Sequence, residues 1–263
     1  MPFTFSHPAI VLPLTKARLK LSTTGLIIGS MIPDFEYFIR MRDRSKFSHT
    51  FTGLFWFDLP LALFVCFVYH TVVRNPLFDN LPSFLKHRFS VYKKLDWTKY
   101  FLKNWVFVLV SIMIGAVSHI VWDGVTHNTM FYVNQADLST LTKIGRINLA
   151  GYKFLQLAST VVGGIVVIYS IFAMRRVHQP ETKIDYRYWA LVWLITFTAL
   201  FFRLAKDHFH LHYWNPYRVM AVSFISCFMI GLIVAPLLLN KKHPPGARVP
   251  LKKKMEVDAS RHQ

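Results

Sequence analysis

The stretch HIVWDGVTH carries His119, Asp123 and His127 at intervals of four residues. On a helix that interval stacks His119 over Asp123 on one face. An imidazole nitrogen beside a carboxylate oxygen is a suitable donor pair for a divalent metal ion such as zinc. Further candidates precede it: His7 in FSHPA, Asp34 and Glu36 in MIPDFEYF, and His49 in KFSHT. Each is a polar or ionisable group in apolar surroundings, and for a carboxylate in a membrane span this costs roughly 2.5 kcal/mol or more unless it faces a polar cavity or a metal. Asp34, with Glu36 as the alternative, is also the candidate base for activating water. Arg40, Arg42 and Arg44 lie close in sequence and are candidate substrate-binding cations for a phosphate group.

Each residue also has a structural reading. His7 can be an interfacial histidine, and Asp34 after Pro33 a helix cap. Glu36 stands four residues before Arg40, the spacing of a surface ion pair. His49 can cap a helix, His119 and Asp123 can tie helices together, and His127 can be a loop residue. Position favours the joint reading. His49 opens the first long apolar run, whereas His119 and Asp123 close the second. An antiparallel helical hairpin brings those two ends to one membrane face. Asp58, further into the first run, is placed to support His49 from behind. His208, His210 and His212 fall on the same predicted side and read as a solvated interfacial loop.

The elements that must position these groups follow from the apolar runs. Of the 263 residues 53% are hydrophobic, but their clustering decides the class. Runs at 51–73, 104–123, 151–174, 188–205 and 217–239 each approach or exceed the roughly 20 residues that cross a hydrocarbon core as a helix. The predicted fold is all-α: a polytopic integral membrane helical bundle of about five spans. Residues 21–39 add a short membrane-associated helix, re-entrant or packed on the bundle, capped by Ser22 or Thr23. One membrane-embedded domain covers 1–240, and a basic, disordered tail is expected over 241–263. The 74–103 segment interleaves cations with aromatics, as amphipathic surface segments do.

The net charge is +18. So much of the chain is apolar that no nucleic-acid-binding domain is expected, and the cations are assigned to anionic lipid. Cys66 and Cys227 form no CxxC pair, so a thiolate metal site is not expected. The opening MPFTFSHPAI lacks the basic start of a signal peptide. Loop charge puts 74–103, 175–187 and the tail in the cytoplasm, which sets the candidate site at the outward face of a bacterial inner membrane. Arg40, Arg42, Arg44 and Lys46 then run against the charge rule, which a local task in binding phosphate would explain.

MPFTFSHPA, GSMIPDFEYF, KFSHT, SHIVWDGVTH and YKFLQLAST together resemble an uncharacterised DUF-type family of bacterial membrane proteins, over most of the chain. More remotely, the order of motifs resembles the YdjM-like membrane-bound metal-dependent hydrolases, and beyond them zinc-dependent phospholipase C and related single-strand nucleases. That resemblance implies one zinc on Asp34, His49, His119 and Asp123, a second on His7 and Asp123, and a third involving His127. The chain departs from the pattern: no H-x-x-x-E follows His127, and Leu157 stands beside Gln156 where a histidine is expected. The resemblance therefore carries two ions further than three. The expectation is a membrane-bound zinc-dependent hydrolase of a phosphoester, such as a phospholipid or lipid-linked phosphate. The competing classes are an ion or small-molecule transporter, which needs polar groups at several depths, and a non-catalytic membrane scaffold.

Overall fold

The computed structural model describes residues 3–17, 19–42, 44–126, 141–144, 147–177, 184–206 and 216–239. His127, the histidines at 208, 210 and 212, and the 241–263 tail lie outside the described residues. Among the described residues five helices are long and apolar enough to cross a membrane, and the protein is an all-α membrane protein. They are α4 (Phe51–Asp79), α6 (Trp97–Thr126), α7 (Gly151–Ala173), α8 (Tyr186–Lys206) and α9 (Pro216–Leu238). Short helices precede and join them: α1 (Pro8–Lys16), α2 (Thr23–Gly29), α3 (Phe35–Arg40) and α5 (Ser83–Phe89). A small antiparallel hairpin, β1 (Leu141–Ile144) with β2 (Ile147–Ala150), leads into α7.

The segment at 21–39 is not one helix. Ser22 caps α2, its hydroxyl accepting from the Gly25 N–H. Pro33 then enters a 3-10 turn, Ile32–Asp34, and α3 starts afresh at Phe35. α2 lies directly on α6 because both surfaces lack side chains at the crossing. A Cβ on Gly29 would sit 2.3 Å from the Ile112 carbonyl oxygen, and one on Gly115 would sit 2.5 Å from that of Leu26. Small residues allow such backbone approach between membrane helices. The core that results joins Ile28, Ile32, Phe35, Ala62, Ile112 and Ala116, all buried. α8 and α9 form a second hairpin, and Val222, Ile225 and Met229 of α9 pack on the first core. α7 is peripheral: 6% of its apolar window is buried, against 33% for α6.

The first hairpin is longer than the apolar runs indicate. α4 continues from Val73 to Asp79, and α6 begins at Trp97, with a break in helical geometry at Asn104. The reason lies in the cations of the 74–103 segment, several of which turn inward instead of lying on lipid. Arg74 is buried and donates to the carbonyl oxygens of Lys93 and Leu95. Lys86 donates to the Asp79 carbonyl, and Arg88 to those of Phe84 and Phe172. The Asp79 and Phe172 carbonyls lie in the last turns of their helices, where no intrahelical partner is available. α1 also went unanticipated, since Pro8 and Pro13 look like breakers. Pro8 sits at the helix start, where its missing N–H costs nothing.

The two ends of the bundle are distinct. At one, Asn80 bonds the Asp185 N–H and the Trp189 indole, and the His87 carbonyl accepts from Val177. At the other, Arg203 of α8 donates to the Met41 carbonyl that closes α3. The grouping of 74–103 with 175–187, and of the 40s with the end of α8, matches the hairpin order expected from sequence.

Candidate metal centre

Three elements converge at the Met41 end. The 3-10 turn brings Asp34, the residues ahead of α4 bring His49, and the last turns of α6 bring His119 and Asp123. One ligand atom from each of these four residues lies within 4.8 Å of the others. His119 Nε2 is 3.5 Å from Asp34 Oδ1 and 3.4 Å from Asp123 Oδ2. His49 Nε2 is 3.7 Å and 3.5 Å from the same two oxygens. Ligand atoms held at about 2.0–2.2 Å around a tetrahedral ion stand about 3.3–3.6 Å apart. Three of the four separations fall within that range and the fourth, His49 to Asp34, just beyond it.

The hydrogen bonding around the cluster agrees. Asp34 Oδ1, His49 Nε2 and His119 Nε2 are buried and have no hydrogen-bond partner. Orphaned buried polar atoms of this kind call for a ligand. Meanwhile the far atom of each residue is held. His119 Nδ1 faces the Ser30 carbonyl oxygen at 2.8 Å, so that nitrogen carries the hydrogen and Nε2 is left to accept a cation. His49 Nδ1 is 3.0 Å from the Ser48 hydroxyl. Thr4 donates its hydroxyl to Asp34 Oδ2 at 2.5 Å, turning Oδ1 to the cluster. Burial alone would raise the Asp34 pKa, but His119 and His49 beside it hold it below the ordinary carboxylate value.

His7 stands against the same cluster at the other oxygen of Asp123 from His49. Its ring stacks on that of His119 at 3.9 Å, and its Nε2 lies 3.4 Å from Asp123 Oδ1. Asp123 therefore presents one oxygen to His7 and the other to His49 and His119. His7 Nδ1 faces the Thr4 carbonyl at 3.3 Å.

Residues 1–237 match the family described as Domain of unknown function (DUF4184). The chain belongs to that family. No curated protein and no solved structure matches it. The DUF4184 match shows neither the YdjM-like nor the phospholipase C relationship. In this DUF4184 chain three of the four residues of the cluster are buried. Asp34 and His119 are fully buried, and Asp123 is 1% exposed. Of the four, His49 has the most exposed side chain, at 11%.

The structure gives Glu36 a different place from the alternative base that its sequence position suggested. Its carboxylate accepts from the N–H groups of Lys46, Phe47 and Ser48 and from Arg40 Nε. Burial pushes its pKa up, yet those backbone N–H groups outweigh burial and bring it down to about 2. Glu36 thus fixes the turn that delivers His49, whose backbone is left-handed at φ 64°. A non-glycine residue held there costs about 1–3 kcal/mol, which the surrounding bonds must offset. Arg40 is occupied by Glu36 and lies over the Phe47 ring, while Arg42 and Arg44 are exposed.

Asp58 gains in importance. It ends a π-helical turn, Leu54–Asp58, that packs on the Ile32–Asp34 turn and on α6. It is fully buried, and neither carboxylate oxygen has a hydrogen-bond partner. Such π-helical turns recur at functional sites. Thr4 and Ser30 were not identified from sequence, because their contacts to the cluster span 30 and 89 residues.

Proposed function

We propose that this DUF4184 protein is a membrane-bound hydrolase that uses a divalent cation, zinc by the chemistry of its donors, to cleave a phosphoester. The observation that carries this reading is the set of orphaned Nε2 and Oδ1 atoms at ion-like separations, each backed by a bond to its far atom. Asp34, His49, His119 and Asp123 would hold the ion. His7 and Asp123 Oδ1 would flank a second position, with Asp123 bridging the two. Imidazole with carboxylate donors suits zinc better than calcium or magnesium, which prefer oxygen alone.

Bound there, a divalent ion supplies Lewis acidity and lowers the pKa of water. The chain's own residues do the rest. Asp34 orients the site through Oδ1 while Thr4 restrains Oδ2. Asp58, the buried carboxylate without a hydrogen-bond partner, takes the proton from the attacking water as the new P–O bond forms and returns it to the leaving oxygen as the scissile P–O bond breaks; Glu36, engaged on both oxygens, is not free to do so. Arg42 and Arg44 attract the anionic substrate by charge. The substrate is a membrane lipid phosphoester, and the site faces outward from a bacterial inner membrane, as loop charge suggests.

The test is direct. Protein purified in detergent is expected to carry at least one zinc per chain by elemental analysis and to hydrolyse a phosphodiester. Asp34→Ala and His119→Ala are expected to lose both. A wild-type protein that binds no added zinc and melts identically with and without chelator would remove the proposal and leave a scaffold.

A further inference from the structure

A second feature borders the cluster. A cavity of 370 Å³ lies between α1, α6 and α7, and His7 forms part of its wall. Sites for small molecules range over about 300–1,000 Å³. On α7 it is lined by Leu155, Ala158, Ser159, Val162, Gly163 and Val166. Their spacing of three and four is one helix face, about 16 Å long at the helical rise. α6 contributes Trp122, Val125 and Thr126, which flank Asp123 within one turn. The groove is mostly apolar, yet it touches His7, whose Nε2 faces Asp123 Oδ1.

The groove is built. Phe3 donates its N–H to Thr160 Oγ1, and the Ser6 hydroxyl donates to the Thr160 carbonyl. A Cβ on Gly163 would meet Ser6 Cβ and the Ser6 carbonyl oxygen at 2.8 Å, so this glycine lets the N-terminal turn seat against α7. Gln156 donates to the Thr126 carbonyl and ties α7 to the end of α6. From that end the lining runs along α7 into the span.

The geometry points to one occupant: a hydrocarbon chain of a membrane lipid lying along α7, with the lipid's phosphate head at the cluster. An apolar groove on a peripheral membrane helix is filled by hydrocarbon, and the wall it shares with His7 sets an anionic head beside the cation-binding residues. This deepens the proposed hydrolase by naming its substrate class as a long-chain phospholipid, and it rests on that reading for the head alone.

The experiment uses full-length protein in vesicles containing a phospholipid with a diazirine in its acyl chain, and maps adducts by mass spectrometry. Adducts on the groove face of α7, at Ala158, Val162 and Val166, are expected to exceed several-fold those on its outer face, at Val161, Ile165 and Ile168. Ala158→Trp, or Val162→Phe should the first fail to fold, is expected to bring the groove adducts down to the outer level. Those variants should lose about tenfold in hydrolysis of a long-chain phospholipid, while bis(p-nitrophenyl) phosphate, which has no chain, is cleaved as before. Equal labelling of both faces overturns the groove. Groove labelling in a protein that binds no zinc and cleaves neither compound upholds the groove and removes the hydrolase.

Discussion

His119 and His70 are both buried histidines on the first membrane hairpin, at opposite ends, and their surroundings have opposite logic. Both nitrogens of His70 are engaged. Nδ1 accepts from Arg74 at 2.7 Å, Nε2 lies 3.1 Å from the Thr24 hydroxyl, and the ring stacks on Trp97 at 4.3 Å. His119 has one nitrogen fixed by a carbonyl and the other unpartnered between two carboxylates. A histidine whose bonds are complete serves the fold; one fixed on a single side and orphaned on the other is arranged for something absent from the chain. The same contrast separates Glu36, saturated by backbone N–H groups, from Asp58, which has no hydrogen-bond partner.

The strongest way to break the contrast is to delete both histidines in turn. His119→Ala is expected to abolish zinc binding and the stabilisation that zinc provides. That stabilisation is about 4 kcal/mol at a thousandfold excess over the dissociation constant. His70→Ala should leave zinc content untouched and cost about 1–3 kcal/mol, since it unpairs a hydrogen-bonded Arg74. Elemental analysis with thermal melts, with and without chelator, reads both. Equal zinc loss in the two variants would erase the distinction.

Asp58→Asn sharpens the second half of the contrast. It retains shape and removes the proton acceptor, so zinc content should hold while hydrolysis falls about 10²–10⁴-fold. Thr4→Val comes next. The hydroxyl only steers Asp34 Oδ2, so zinc affinity should fall about 10–100-fold with the ligands intact. A competition titration against a chromogenic chelator measures it. An unchanged affinity would mean that Asp34 holds its orientation without Thr4.

How much of this the sequence could show follows from the same residues. Span number was legible because five apolar runs each suffice for a bilayer. Span ends were not, because Arg74 and Lys86 count as surface charges until their carbonyl partners are known. At the site, the H-x-x-x-D spacing announced His119 and Asp123, since the helix alone sets their relation. Asp34 and Glu36 looked interchangeable two residues apart. Asp34 ends the 3-10 turn while Glu36 belongs to α3, and only Asp34 reaches the cluster. Thr4 and Ser30 left no signal, since the Thr4 hydroxyl meets Asp34 only when the N-terminal turn packs on the Ile32–Asp34 turn, and the Ser30 carbonyl meets His119 only when α2 closes on α6.

The smallest expected effect tests Glu36 itself. Its carboxyl is ordinarily near 4.5 and is brought down to about 2 in the fold. A depressed pKa means that the folded state favours the charged form. The stabilisation is therefore complete above pH 4.5 and is lost as pH falls through about 2. Wild-type melting temperature in detergent should drop across that window. Glu36→Gln should be less stable by about 1.5–3 kcal/mol at neutral pH, the scale of a hydrogen bond to a charged group. Its melting temperature should vary less with pH over the same interval. Because Glu36 holds the 46–48 turn and not the ion, zinc should still bind to the variant, only more weakly as His49 loses its left-handed restraint. A variant that keeps full stability but loses hydrolysis outright would return Glu36 to the chemistry.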